Sequence, residues 1–270
     1  LRLSRIPHGA FYWIVWGLAV ALYLAWPLTH LETYAWDNDE GLYVQRAALA
    51  NAGYPLYTET AFNKPPFLIW ILQLTFRLMG QTALTARLTI LALTMVGFVS
   101  LGILGRQLWG KWAGVASVLL WLGLSETSRR AHVVMSDLPA MTFALIAMGS
   151  ALRFRRSGKR TWIALSGVTY AGAILIHPLL IYIGLPLATI LLIPDLESPS
   201  GRSARRTHWL DLGLFLGAAC GAGLLVLIGV DRGAFFAWVF QYNYGTLAAP
   251  LPSKLGENWA EMVEYLRNNW

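Results

Sequence analysis

Lys64-Pro65-Pro66-Phe67-Leu68-Ile69-Trp70-Ile71-Leu72-Gln73-Leu74-Thr75-Phe76-Arg77-Leu78-Met79-Gly80 is an apolar run between a cation and a glycine, and whether it crosses a bilayer decides the arrangement of the whole chain. Similar runs recur near residues 11–28, 84–105, 112–125, 138–152, 162–176, 179–193 and 210–230. Only 13% of the 270 residues are charged, 56% are hydrophobic and the mean hydropathy is +0.51, too little polar surface to clothe a soluble globule of this size. The chain reads as all-α, a polytopic transmembrane helical protein. If residues 65–80 crossed, the basic block Arg153-Phe154-Arg155-Arg156-Ser157-Gly158-Lys159-Arg160 would sit opposite Arg2 and Arg5, against the excess of Lys and Arg that cytoplasmic loops carry. Laid at the outer surface as an embedded helix, the run leaves about seven spans and puts every basic block on one side.

That inner side then holds Arg106, Lys111 and Arg202-Ser203-Ala204-Arg205-Arg206 as well, against only Asp195, Glu197 and Asp211. The N-terminus is cytoplasmic on this reading, and the protein belongs in the plasma membrane. A formal charge of +7 therefore reports orientation rather than a nucleic-acid partner, because the cations come in short blocks between apolar runs. The 13 Trp and 11 Tyr suit long membrane boundaries, where an amphipathic ring keeps its body in lipid and its polar atom in water. Cys220 is the single cysteine, which excludes an intrachain disulfide. The run Trp162 to Ile193 is too long for one span and is flanked by basic blocks, so it is expected to turn back at His177-Pro178. Residues 1–230 are expected to form the membrane module, with an outer loop over 29–83 carrying embedded helices. Residues 231–270 form an outer-face segment with an interfacial helix over Asn258 to Asn269, and Gly201 to Arg206 reads as a polar inner loop. A start at Leu1 and a stop at Trp270 read as a piece of a longer protein.

The first outer loop opens on Trp36-Asp37-Asn38-Asp39-Glu40, three carboxylates within four residues at a membrane boundary. They are costly to hold there, since each loses hydration and repels the others. Lys64 lies in the same loop, stiffened by Pro65-Pro66, and Arg129, Arg130 and Asp137 fall in the second outer loop. Carboxylates and cations around a lipid-bounded cavity suit a reaction on a lipid-linked phosphate: the cations hold the phosphate and a carboxylate activates the acceptor. Each residue also has a plain structural reading. Asp39-Glu40 would serve the N-terminus of a helix over Gly41 to Ala52, Asp137 an N-cap, Lys64 a snorkelling lysine, and His132 and His177 interfacial histidines.

Asp39-Glu40 with Tyr43, Lys64-Pro65-Pro66-Phe67, Gly80, Arg87-Leu88, Gly105-Arg106 and Asp137-Leu138 resemble the N-terminal half of the C-type membrane glycosyltransferases. The branch is that of bacterial relatives of protein O-mannosyltransferases and of the aminoarabinose transferase that modifies lipid A. The resemblance runs from about residue 10 to 190, and where members often carry a lysine this chain has Ile176-His177-Pro178. It implies a seven-span module that uses a polyprenyl-phosphate-linked sugar at the outer face. Asp39 would be the acceptor-activating carboxylate and Glu40 its support. Lys64 would contact the donor phosphate with Arg130, and Tyr43 and Asp137 would shape the substrate site. The one cofactor it allows is a divalent cation, with Asp39, Glu40 and Asp137 as ligands. Two readings follow, an inverting glycosyltransferase or a non-catalytic subunit of a larger membrane complex. A transporter fits less well, because the spans hold almost no ionisable residues.

Overall fold

A computed structural model describes residues 8–32, 38–192 and 201–242. Asp37, the acids Asp195 and Glu197 and the helix expected over Asn258 to Asn269 lie outside these residues. The described chain is helical apart from its turns and one isolated bridge, Leu56 to Thr60. The protein is an all-α polytopic membrane protein. Its helices are α1 (His8–His30), α2 (Asn38–Asn51), α3 (Phe67–Met79), α4 (Ala83–Trp109), α5 (Lys111–Gly123), α6 (Ser125–Arg130), α7 (Asp137–Ser157), α8 (Thr161–Ile176), α9 (Gly184–Leu192), α10 (Gly201–Val226) and α11 (Arg232–Phe236).

Three described helical stretches are long and apolar enough to cross a membrane unaided: Tyr12–His30, Ala83–Trp109 and Trp209–Val226. α5 and α8, with 13 and 16 residues, are apolar but shorter than the roughly 20 residues that a span needs. α3 also has 13 residues, about 20 Å of helix, and its Ile69, Leu72 and Phe76 pack in one cluster with Tyr43 of α2 and Ile90 of α4.

The turns explain the topology. α4 stops at Gly110, whose φ of 92° lets the backbone reverse at once into α5, and α7 stops at Gly158 with φ 67°. α8 ends at His177, which is extended (φ −142°, ψ 101°) because Pro178 follows it. A 3₁₀ turn over Pro178–Ile183 then folds the chain back, and the Tyr170 hydroxyl donates to the Ile181 carbonyl at 2.7 Å. The reversal expected at His177-Pro178 is thus present. The polar loop expected over Gly201 to Arg206 is instead the first turns of α10, where arginine and alanine are good helix formers.

Three apolar clusters hold the bundle. One joins Tyr23 and Ala19 of α1 to Phe98 of α4 and Trp121 of α5, with Tyr23 and Phe98 stacked at 4.6 Å. A second joins Ala147 and Ala151 of α7 to Ile163 and Tyr170 of α8, Leu187 and Leu191 of α9 and Phe215 of α10. The third lies at one end of the bundle and contains Tyr43, Tyr57, Phe62, Ile69, Leu72, Phe76, Ile90, Ile176 and Phe235. It seats α2 and α3 on the tips of α4 and α8. α4 and α5 approach so closely that a Cβ on Gly114 would lie 2.5 Å from the Gly102 carbonyl oxygen. Gly114→Ala should therefore destabilise the protein by about 1–3 kcal/mol, the usual cost of overpacking, and lower its Tm in detergent. An unchanged Tm would show that this crossing has slack.

Candidate active site

Every candidate side chain within the described residues sits at the end of the bundle that carries α2 and α3. Arg106, Lys111 and the basic run 153–160 lie at the other end, where α4 meets α5 and α7 meets α8. Asp39 and Glu40 open α2, where carboxylates complement the helix dipole. Consecutive helical residues point about 100° apart, and here they part company. Asp39 is exposed and faces Lys64, its Oδ2 3.8 Å from Nζ. Glu40 is fully buried, and both its oxygens are taken by the Arg87 guanidinium: Nε to Oε1 at 2.7 Å and the terminal nitrogen Nη2 to Oε2 at 2.8 Å. Oε1 also accepts the Val134 N–H at 3.3 Å, and Arg87 Nη1 donates to the Leu31 carbonyl at 2.5 Å. One ion pair thus ties α2, α4, the turn after α1 and the segment before α7.

Lys64 is held in place from both ends. The Tyr57 hydroxyl donates to its carbonyl oxygen at 2.8 Å, and its Nζ donates to the Tyr43 hydroxyl at 2.8 Å. Tyr43 is itself buried, and Phe62 packs edge-on against its ring at 5.8 Å. Tyr57 takes a positive φ of 75°, a strained conformation for a residue with a Cβ, held by the Tyr57 N–H to Thr60 carbonyl bond at 2.8 Å and by the edge of Phe235. Burial works against the Lys64 charge, but the Tyr43 contact and the carboxylates of Asp39 and Asp137 outweigh it and raise the pKa above the ordinary lysine value. The ammonium is therefore fully charged at neutral pH. Burial pushes the Tyr43 phenol up against the opposing influence of Lys64, so Tyr43 remains a neutral hydroxyl. An ammonium has three N–H groups and Tyr43 uses one, so donors remain for a phosphate oxygen.

Asp137 occupies the first turn of α7 but does not act as its cap, because Ser136 is the cap residue. One Asp137 oxygen pairs with Arg130, and the other lies 3.6 Å from His177 Nδ1. Ser136 Oγ is 3.0 Å from that same nitrogen. Burial lowers the His177 pKa and Lys64 lowers it further, while Asp137 opposes both, so the imidazole is neutral near pH 7. Arg130 is shared with Glu126 (Nε to Oε1 2.9 Å), which Arg129 also grips. Hydrogen bonds from Arg129 and Arg130 hold the exposed Glu126 carboxyl down at about 2.

Lys64, Asp39, Tyr43, Ser136, Asp137, His177 and Arg130 thus form one connected polar group. Among the described residues no three of His, Cys, Asp or Glu converge as metal ligands. Glu40, expected among such ligands, has both oxygens engaged by Arg87, so the residues present do not fit a divalent cation held by Asp39, Glu40 and Asp137. Sequence reasoning did not place Arg87, Ser136, His177, Tyr57 or Glu126 in the site. Arg87 left a signal, since an arginine inside the apolar run 84–105 requires a buried partner.

A sequence profile of the dolichyl-phosphate-mannose-protein mannosyltransferases matches residues 63–226. Among solved structures, the fold is similar to the crystal structure of ArnT from Cupriavidus metallidurans bound to undecaprenyl phosphate, with a TM-score of 0.63 and 18% identity over 87% of the chain. The chain spans 44% of that protein. No curated protein matches significantly.

Proposed function

The chain belongs to the dolichyl-phosphate-mannose-protein mannosyltransferase family, and from that premise we propose that it is the membrane module of an inverting glycosyltransferase. The donor is a sugar on a polyprenyl phosphate and the acceptor is a hydroxyl presented at the outer face of the plasma membrane. The observation that carries this reading is the Lys64 ammonium, fixed by Tyr43 and Tyr57 and set beside the exposed carboxylate of Asp39. A fixed cation with unused donors suits a phosphate, and an exposed carboxylate next to it suits the incoming nucleophile.

In this mechanism Asp39 takes the proton of the acceptor hydroxyl as that oxygen bonds to the anomeric carbon. The bond between the anomeric carbon and the phosphate oxygen breaks, and its electron pair leaves on the lipid phosphate. Lys64 meets the developing charge, with Arg130 behind it. Arg130 must be shared, because Asp137 and Glu126 already hold it. Tyr43 is a positioning residue that aims Lys64. Glu40 has no free oxygen and acts through Arg87 to fix the start of α2, and thereby Asp39.

Transfer of labelled sugar from a polyprenyl-phosphate donor by the full-length protein in liposomes tests this directly. Transfer that depends on Asp39 supports the reading, whereas absence of transfer with every lipid-linked sugar supplied would favour a non-catalytic subunit. Sidedness is tested separately in a Cys220→Ala background. A membrane-impermeant thiol reagent should label Glu59→Cys on intact cells and Ser157→Cys only after permeabilisation. External labelling of Ser157→Cys would reverse the orientation.

A further inference from the structure

We infer that the cleft between α4, α7 and α8, at the end of the bundle away from Lys64, binds an anionic glycerophospholipid, with an acyl chain in the cleft and the phosphate on Arg153. The cavity measures about 360 Å³ and its walls include Ile103 of α4, Leu145 and Ile146 of α7 and Leu165 of α8. Leu145, Gly149 and Arg153 follow one another at helical spacing on one face of α7, so the apolar wall leads to a guanidinium. Gly149 faces the open space of the cleft, where a Cβ would meet nothing within 4 Å.

The mouth has the chemistry of a phosphodiester headgroup. The Arg153 guanidinium lies 6.0 Å from the centre of the Trp162 ring, which pre-orients it beside the cleft. Arg153 is exposed at the mouth, so a phosphodiester reaching it meets a guanidinium with its planar donors turned to the cleft. Phosphatidylglycerol carries that anion with a net negative charge, whereas the phosphate of phosphatidylcholine is offset by its own cation. Arg156, bonded to the Gln107 carbonyl, adds to the positive field at this end. Asp137 and Arg153 stand 16 residues apart on α7, about 24 Å along the axis, so this site is separate from the proposed donor site and does not rest on that reading.

Native mass spectrometry of the protein in detergent, titrated with phosphatidylglycerol, phosphatidylcholine or undecaprenyl phosphate, tests the inference. Wild type should favour phosphatidylglycerol over phosphatidylcholine by about fivefold, the scale of one basic residue at a lipid surface. Arg153→Gln should abolish that preference, Gly149→Leu should reduce the adduct with a helical spectrum intact, and Lys159→Gln, outside the cleft, should leave it unchanged. Equal preference in wild type and Arg153→Gln overturns the inference. So does displacement of phosphatidylglycerol by equimolar undecaprenyl phosphate, which would make the cleft a donor-lipid site.

Discussion

Asp39→Asn should slow sugar transfer by about 100-fold or more while leaving donor affinity nearly unchanged, the scale on which a positioned general base contributes. The substitution preserves shape and hydrogen bonding and removes the proton acceptor and the charge. It also removes the carboxylate 3.8 Å from Lys64, which is exposed enough that the ammonium keeps its Tyr43 partner and its place. The loss should therefore appear in kcat rather than in KM for the donor. If Asp39→Asn transfers at the wild-type rate, Asp39 is not the base. Asp137 is then no ready substitute, because Arg130 and His177 occupy it.

The second large effect concerns folding. Glu40 and Arg87 form a bidentate ion pair, with their side chains 0% and 3% exposed. Glu40→Leu leaves the guanidinium buried without its carboxylate, and Arg87→Leu leaves the carboxylate without its cation. Either should cost about 3–5 kcal/mol, because an uncompensated buried charge has lost hydration with nothing in return. The double substitution should recover much of that, since a well-packed apolar pair has no charge to strand. Thermal unfolding in detergent reads all three. A single variant as stable as wild type would mean that the pair contributes little to seating α2. Enzyme activity separates this role from catalysis: the Leu-Leu protein should fold and yet transfer slowly, because Asp39 loses the anchor that fixes the start of α2.

The helices and the end of the bundle at which the polar residues gather are legible in the sequence for a simple reason. Apolar runs must span or embed, basic blocks choose a side, and the residues left at helix ends on the other side then meet. Asp39, Lys64, Arg130 and Asp137 converge by that logic. What sequence does not disclose is direction. Asp39 and Glu40 are neighbours, but the helix turns one to Lys64 and the other inward to Arg87, 47 residues away. Nothing local marks which of two acids faces the core. The Tyr57 hydroxyl that steadies the Lys64 backbone depends on a positive φ that no composition rule assigns to tyrosine. Ser136 and His177 meet only because α7 begins where α8 ends, 41 residues on.

The central claim is that Lys64 receives the phosphate of a polyprenyl-linked donor, and the most direct measurement of it is equilibrium binding. Full-length protein in detergent is titrated with undecaprenyl phosphate and compared with Lys64→Met, which keeps the apolar stem and deletes the ammonium. The account predicts saturable binding by wild type and an affinity at least about tenfold lower for Lys64→Met, the loss of a charge-assisted hydrogen bond to phosphate. Equal affinity of the two proteins at the same ionic strength would contradict it.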